Sequence, residues 1–362
     1  MRVLTSIPEM DAWLADGARV LAQLKLLPPD LPAFDTGVYT AMDLYAGLRD
    51  DGSNWEATPD HAGFRWFMEG PGKPRALSLA EMISARLHDS VQERDVMRFL
   101  EGRKVVAIMG GHDVPRQVDA GPDVYWQCVS IAKTLSEKGF LILTGGGPGL
   151  MEAANLGALL TGADPALVET VRGLLPNAPF GSAAWRASAL AARRAILGYA
   201  APAGHQESLG IPTWFYGHEP PNLFASHHAK MFYNSLREDG LVTWANKGIL
   251  YFEGNAGTVQ EIFQDAVQNY YCASGTAATP MIFFNGDYWD RPCDALSTSD
   301  DRPMDKRKPL LPLIRQLAAE RAFSHALLVT SDLEAVVRFI VEADAVTVPH
   351  QADVKLNQAG DM

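Results

Sequence analysis

Two short turns in this 362-residue sequence carry residues suited to holding an anion. The first is Thr144-Gly145-Gly146-Gly147-Pro148-Gly149-Leu150-Met151, directly after the apolar run Phe140 to Leu143. Consecutive glycines leave no side chain between an approaching phosphate or ribose and the backbone, and a helix opening there aims its free amides at the ligand. A dinucleotide fingerprint starting at Gly145 would need glycine at Leu150, so the turn is not of that type. The second is Glu253-Gly254-Asn255-Ala256-Gly257-Thr258-Val259-Gln260-Glu261, after Gly248 to Phe252. Gly254 and Gly257 keep the backbone pliable, Asn255 is among the residues most tolerant of positive φ, and Thr258 is suited to cap a helix with a hydroxyl that also reaches a phosphate. Glu261 stands three residues after Thr258. On spacing alone that favours a capping box, with the carboxylate accepting from the Thr258 amide. The other reading is chemical: a carboxylate one turn into a helix and aimed at a ribosyl group stabilises positive charge developing at the anomeric carbon.

These turns need a parallel sheet to place them at one edge, where ligands sit beyond the carboxyl ends of the strands. After Gly102 the sequence alternates short apolar runs with amphipathic segments, as βαβ units require. Strands are expected at Lys104 to Met109, Phe140 to Leu143, Leu209 to Tyr216, Gly248 to Phe252, Met281 to Phe284 and Leu327 to Val329. Helices are expected at Val124 to Lys138, from the first glycine turn through Ala158, at Ala225 to Ala245, from the second turn through Tyr271, at Leu310 to Arg321 and at Leu333 to Glu342. Residues 163–205 read as an insertion with a helix at Ala183 to Leu197, whose Trp185, Arg186, Arg193 and Arg194 face either solvent, a ligand or a partner subunit. The fold class is therefore α/β, a Rossmann-like parallel sheet flanked by helices over residues 103–345. Residues 1–102 form a mainly helical N-terminal extension, with helices near Met10 to Leu24 and over Leu77 to Leu100, the latter packing through Leu79, Met82, Ile83, Leu87 and Val91. Residues 346–362 are a polar, loose tail.

Composition narrows the partners. Apolar residues make up 47% and charged residues 20%, the balance of an ordered globular chain. A net charge of −12 opposes binding to a nucleic-acid polymer but leaves room for a small anion held locally. Cys128, Cys272 and Cys293 are too scattered for a disulfide framework or a metal site and read as reduced thiols. The N-terminus lacks a signal-peptide core, and no apolar run of about 18 residues predicts a membrane span. A cytoplasmic protein with no membrane partner, no metal and no cofactor is expected.

Together the turns resemble the two hallmarks of the LOG family of Rossmann-like proteins, a GGGxxGLM-type turn and a PGGxGTxxE turn, over roughly Lys104 to Glu342. The first matches with the spacing to its last glycine shortened by one residue, the second at Gly254 and from Gly257 onward. The resemblance implies hydrolysis of the N-glycosidic bond of a nucleoside 5′-monophosphate, giving free base and ribose 5-phosphate, in a homodimer or higher homo-oligomer. It implies phosphate binding at Gly145, Gly146, Gly147, Gly149 and Met151 and at Gly254, Asn255, Ala256, Gly257 and Thr258, with Glu261 and Arg237 as the catalytic pair. Read as a sequence alone, Arg237 and Glu238 are equally a charged pair on a solvated helix. Gly110, Gly111, Glu238 and His228 are further candidates for the same crevice, His228 with its neighbours Ser226, His227 and Lys230. Family members are often labelled lysine decarboxylases, but no lysine here is marked for a cofactor Schiff base.

Two residues depart from the family pattern: Glu253 replaces its proline and Asn255 its second glycine. A carboxylate pointing into a phosphate cradle would repel the ligand. This favours an alternative in which the same fold is a non-catalytic nucleotide sensor or carrier. A third reading makes residues 1–102 an interaction surface.

Overall fold

The computed structural model describes residues 37–70, 73–199, 207–215, 220–272, 278–291 and 307–345. The expected helix near Met10 to Leu24, Cys293, the end of the expected strand at Tyr216 and the tail 346–362 lie outside them. Before the main sheet come α1 (Ala41–Leu44), α2 (Pro59–Phe67), a small hairpin of β1 (Met68–Gly70) and β2 (Lys73–Pro74), and the long α3 (Leu79–Leu100). Then follow β3 (Val105–Met109), α4 (Val124–Glu137), β4 (Leu141–Thr144), α5 (Leu150–Leu159), α6 (Pro165–Leu174), α7 (Ala183–Leu197), β5 (Ser208–Gly210) and β6 (His227–His228). The chain continues through α8 (Asn234–Trp244), β7 (Ile249–Tyr251), α9 (Ala256–Tyr270), β8 (Met281–Phe284), α10 (Gly286–Asp290), α11 (Leu311–Glu320), β9 (Leu327–Thr330) and α12 (Leu333–Ala345).

Seven strands form one parallel sheet in the order β6-β5-β4-β3-β7-β8-β9. Successive residues of a strand face opposite sides, and here both sides are covered. Val106, Ile108 and Ile142 pack under α4, α5, α7 and α12, whereas Val105, Ala107, Leu141 and Leu143 pack under α3, α8, α9 and α11. Helix ends follow local chemistry: Asp123 caps α4 by accepting from the Trp126 amide, and Gly139, at φ 86°, lets the chain turn back into β4.

The expected helix from Ala225 is wrong in its first half. Ala229 and Met231 donate to the carbonyls of Gly210 and Pro212 at 3.0 and 2.9 Å, so this stretch runs as the edge strand β6 and its extension, and the helix begins only at Asn234. The expected third strand shortens to Ser208–Gly210.

Helix α3 also differs from its expected packing. Leu79, Met82 and Ile83 are exposed, while Ala85, His88, Asp89, Val91, Gln92 and Val96 turn inward. The buried carboxylate of Asp89 explains this polar choice: it accepts from the Phe232 and Tyr233 amides at 2.9 and 2.8 Å. Asp89 therefore fixes the two residues that lead into α8. A second tie from the N-terminal region is the buried pair of Lys230 Nζ and Asp60 Oδ1, 2.6 Å apart.

The insertion helix α7 has the expected bounds. Arg186 donates to the Gly52 carbonyl at 3.0 Å, Arg193 to the Leu223 carbonyl at 2.8 Å, and Arg194 pairs with Asp50. These arginines fasten chain segments together.

Candidate functional site

From β3 the chain crosses to β4 on one side, and from β7 it crosses to β8 on the other, so the order of strands reverses between β3 and β7. The helices that follow these two strands leave in opposite directions and open a crevice at their carboxyl ends. A cavity of about 320 Å³ lies there, lined by Met109, Gly110, Gly111 and His112 after β3 and by Asn255 to Thr258, Gln260 and Glu261 after β7. Gly145 and Met151 from the first glycine turn and Arg237 and Glu238 from α8 complete it.

The wall formed by α9 presents the open start of a helix to the cavity. Asn255, in extended conformation, is the residue from which the helix starts, and the first helical amide to reach back is Val259, bonded to the Asn255 carbonyl at 3.1 Å. The amides of Ala256, Gly257 and Thr258 therefore have no acceptor within the helix, and they stand at its positive end. Asn255, Ala256 and Gly257 are exposed to the cavity.

This start overturns the expected capping box. Thr258 is the third helical residue and not the cap, so Glu261 lies nearly a full turn deeper than a capping carboxylate and lines the cavity instead. It is 7% exposed and meets Arg237 and Glu238, themselves 6% and 3% exposed. Arg237 donates through Nε to the Ile211 carbonyl at 2.7 Å and through Nη1 to Asn234 Oδ1 at 3.0 Å and Glu238 Oε1 at 2.5 Å. The solvated charged pair read from sequence is thus a buried cluster.

Glu238 Oε2 is buried and has no hydrogen-bond partner among the described residues. Burial, and then the Glu238 charge, hold the Glu261 carboxyl well above its ordinary range, with Arg237 opposing them. Two carboxylates that share a site cannot both ionise freely.

One turn further along α9, Asp265 accepts from the Tyr251 hydroxyl at 2.9 Å, and burial pushes its carboxyl up to about 8. The folded protein holds this proton over a range in which the unfolded chain has released it. The contribution of Asp265 to stability is therefore fully present below the ordinary value of 3.8 and is lost as pH rises to about 8. Asp265→Asn should flatten that decline, with a melting temperature that varies less than that of the native chain over the same interval.

No protein-family model matches this chain, and no curated protein matches it. Among solved structures it is similar to the molybdenum cofactor binding protein from Rippkaea orientalis, at 14% identity and a TM-score of 0.38, covering 67% of this chain and 98% of that one. It is also similar to the molybdenum cofactor carrier protein from Chlamydomonas reinhardtii, at 12% identity and a TM-score of 0.37, covering 67% of this chain and 99% of that one. At these identities neither protein's ligand carries over to this chain.

The remaining candidates divide clearly. Gly146 and Gly147 line no part of the cavity: their carbonyls accept from the Asn222 backbone amide at 2.8 Å and its side-chain amide at 3.1 Å, and both residues are buried. Gly149 lies against Gly111 and His112, where a Cβ would sit 2.4 Å from the Gly111 carbonyl oxygen. Gly145 lines the cavity, and a Cβ there would overlap Arg237 Nη2. The triple-glycine turn thus admits Arg237 and neighbouring backbone more than it admits a ligand. Gly254 likewise has no room for a side chain beside Thr258.

His228 is fully buried, its Nε2 donating to the Asn222 carbonyl at 3.0 Å, with burial pushing its imidazole down to about 3. It supports the Asn222 segment and does not line the cavity. Glu253 accepts from the Asn285 side-chain amide at the end of β8 and leaves the α9 amides clear. His112, Gln260 and Asn222 were missed from sequence; the Gly-Gly-His run after the KVVAIM strand was the available signal for the first. Among the described residues no cluster of His, Cys, Asp or Glu is arranged for a metal ion, and no helix is long and apolar enough to cross a membrane.

Proposed function

We propose that this protein binds a phosphorylated small molecule of the nucleotide class, with its phosphate on the Ala256, Gly257 and Thr258 amides, and holds it as a sensor or carrier without cleaving it. Gly257 is the observation that carries this reading. It lies in the first turn of a helix, where alanine would be preferred by up to about 1 kcal/mol, and a Cβ there would meet nothing within 4 Å. Among the described residues no packing requires this glycine, but a ligand resting on the backbone would. The resemblance of both turns to the LOG hallmarks supports the nucleotide class. The absence of turnover rests on the cluster itself: Arg237 is held by three acceptors, and burial raises the Glu261 carboxyl, which favours its protonated form over the base that would activate water.

That same proton favours a second reading. A carboxyl that stays protonated while lining a nucleotide cavity is suited to donate to a departing base, so Glu261 would serve hydrolysis of the N-glycosidic bond as an acid, with Arg237 positioning it.

Calorimetric titration with a panel of nucleoside 5′-monophosphates, with parallel assay of free base and ribose 5-phosphate, separates these readings. Saturable binding without release supports the carrier. Release that disappears in Glu261→Gln while binding survives supports hydrolysis. Binding of no member of the panel would overturn both. Gly257→Ala should fold as the native chain does and weaken phosphate-ligand affinity by about tenfold, the scale of one charge-assisted hydrogen bond lost.

A further inference from the structure

A second cavity, of about 380 Å³, adjoins the first and shares His112 with it. Its volume lies within the range of small-molecule sites, about 300–1,000 Å³. One wall is the loop after β3 together with Pro148; the other is the stretch 177–180 between α6 and α7 together with Trp185 of α7, all within the insertion.

Flat, apolar surfaces dominate this space. Pro115, Pro148 and Pro179 line it with Phe180 and Trp185, and the Phe180 ring stands edge-on to His112 at 5.8 Å and 89°. Trp185 is 2% exposed and fixed in the wall, whereas Phe180 is 38% exposed on the opposing loop. The floor is polar but closed. Arg116 Nε and Nη2 donate to the two Glu152 carboxylate oxygens at 2.7 and 2.9 Å, Arg116 Nη1 donates to Ser188 Oγ at 2.8 Å, and the Tyr125 hydroxyl donates to Glu152 Oε1 at 2.8 Å. A floor so paired offers no net charge to an ion.

We infer that this second cavity is a subsite for a flat nitrogen heterocycle, of the nucleobase kind, belonging to the ligand whose phosphate lies in the adjoining cavity. The inference rests on the phosphate reading of that cavity. Apolar, aromatic and prolyl walls hold a ring by stacking and edge contacts, which every base offers and which distinguish poorly among bases. His112 lines both spaces, and in this reading one molecule spans them, phosphate at the α9 amides and ring beside Phe180. The insertion then has a binding role, since it brings Pro179, Phe180 and Trp185 to the ring.

Calorimetry of the native chain and of Phe180→Ala with adenosine 5′-monophosphate, ribose 5-phosphate and adenosine tests this. Phe180 is an exposed loop residue, so the variant keeps the fold. The native chain should bind adenosine 5′-monophosphate more tightly than ribose 5-phosphate, and Phe180→Ala should weaken the former about tenfold, the scale of one lost base-stacking contact, while leaving the latter unchanged. Equal native affinities for the two phosphates, or equal losses of both in the variant, would overturn the ring subsite and leave the phosphate reading standing. Phe180-dependent binding of adenosine with no binding of ribose 5-phosphate would support the ring subsite and remove the phosphate reading. Binding of none of the three overturns both.

Discussion

Arg237→Leu should destabilise the fold by about 3–5 kcal/mol and abolish ligand binding, because removing one member of a buried ion pair leaves the other charge unpaired. Arg237 is the cation of its cluster: its guanidinium meets Glu238 at 2.5 Å and opposes the factors that raise the Glu261 carboxyl. Without it Glu238 is a carboxylate at 3% exposure beside the buried Glu261 carboxyl. The loss should appear as a lower denaturant midpoint, and adding Glu238→Gln in the same chain should restore more than half of it while binding stays lost. An unchanged midpoint in the single variant would show that the pair is solvated, as its sequence alone allowed.

Gly149→Ala should be at least as damaging, at about 4 kcal/mol or more, from backbone strain and steric overlap together. Gly149 has φ 67°, and a Cβ there would stand 2.4 Å from the Gly111 oxygen and 2.7 Å from His112 backbone atoms. Neither obstacle is a flexible side-chain tip. The fitting comparison is Gly257→Ala, the same chemical change on the opposite wall of the crevice. One should lower the melting temperature by many degrees and the other leave it in place, which separates a glycine the fold needs from one the ligand needs. Comparable melting temperatures in the two variants would defeat that distinction.

The sheet was legible because its strands are short, continuously apolar runs ended by glycine, and most of the expected runs lie within a residue or two of the observed strands. The edge strand at His227–His228 was not, because Ala225 to Tyr233 has a composition that suits a helix. Only lateral partners, Gly210, Pro212 and Asp89, make it extended. The site was legible in its inventory and misread in its geometry. Arg237, Glu238, Glu261, Gly110, Gly111 and the residues from Asn255 to Thr258 do converge on one cavity. The cap at Asn255, three residues before Thr258, decided what Glu261 faces, and local preference did not choose between the two because both asparagine and threonine are good caps. The four glycines of the first turn look alike in sequence, yet Gly145 meets Arg237, Gly146 and Gly147 meet Asn222, and Gly149 meets Gly111 and His112, which only the packing of distant segments reveals.

The grip of Asp89 on the start of α8 bears on where this protein can be divided. A fragment beginning at Arg103 would retain every residue that lines the first cavity and every strand of the main sheet. It would nonetheless lose the outside acceptor for the Phe232 and Tyr233 amides, just one turn ahead of Arg237. The boundary where the sequence pattern changes is thus no boundary of the working part. In a dissection of this chain, the smallest piece expected to recognise its ligand includes α3, a helix that never touches it.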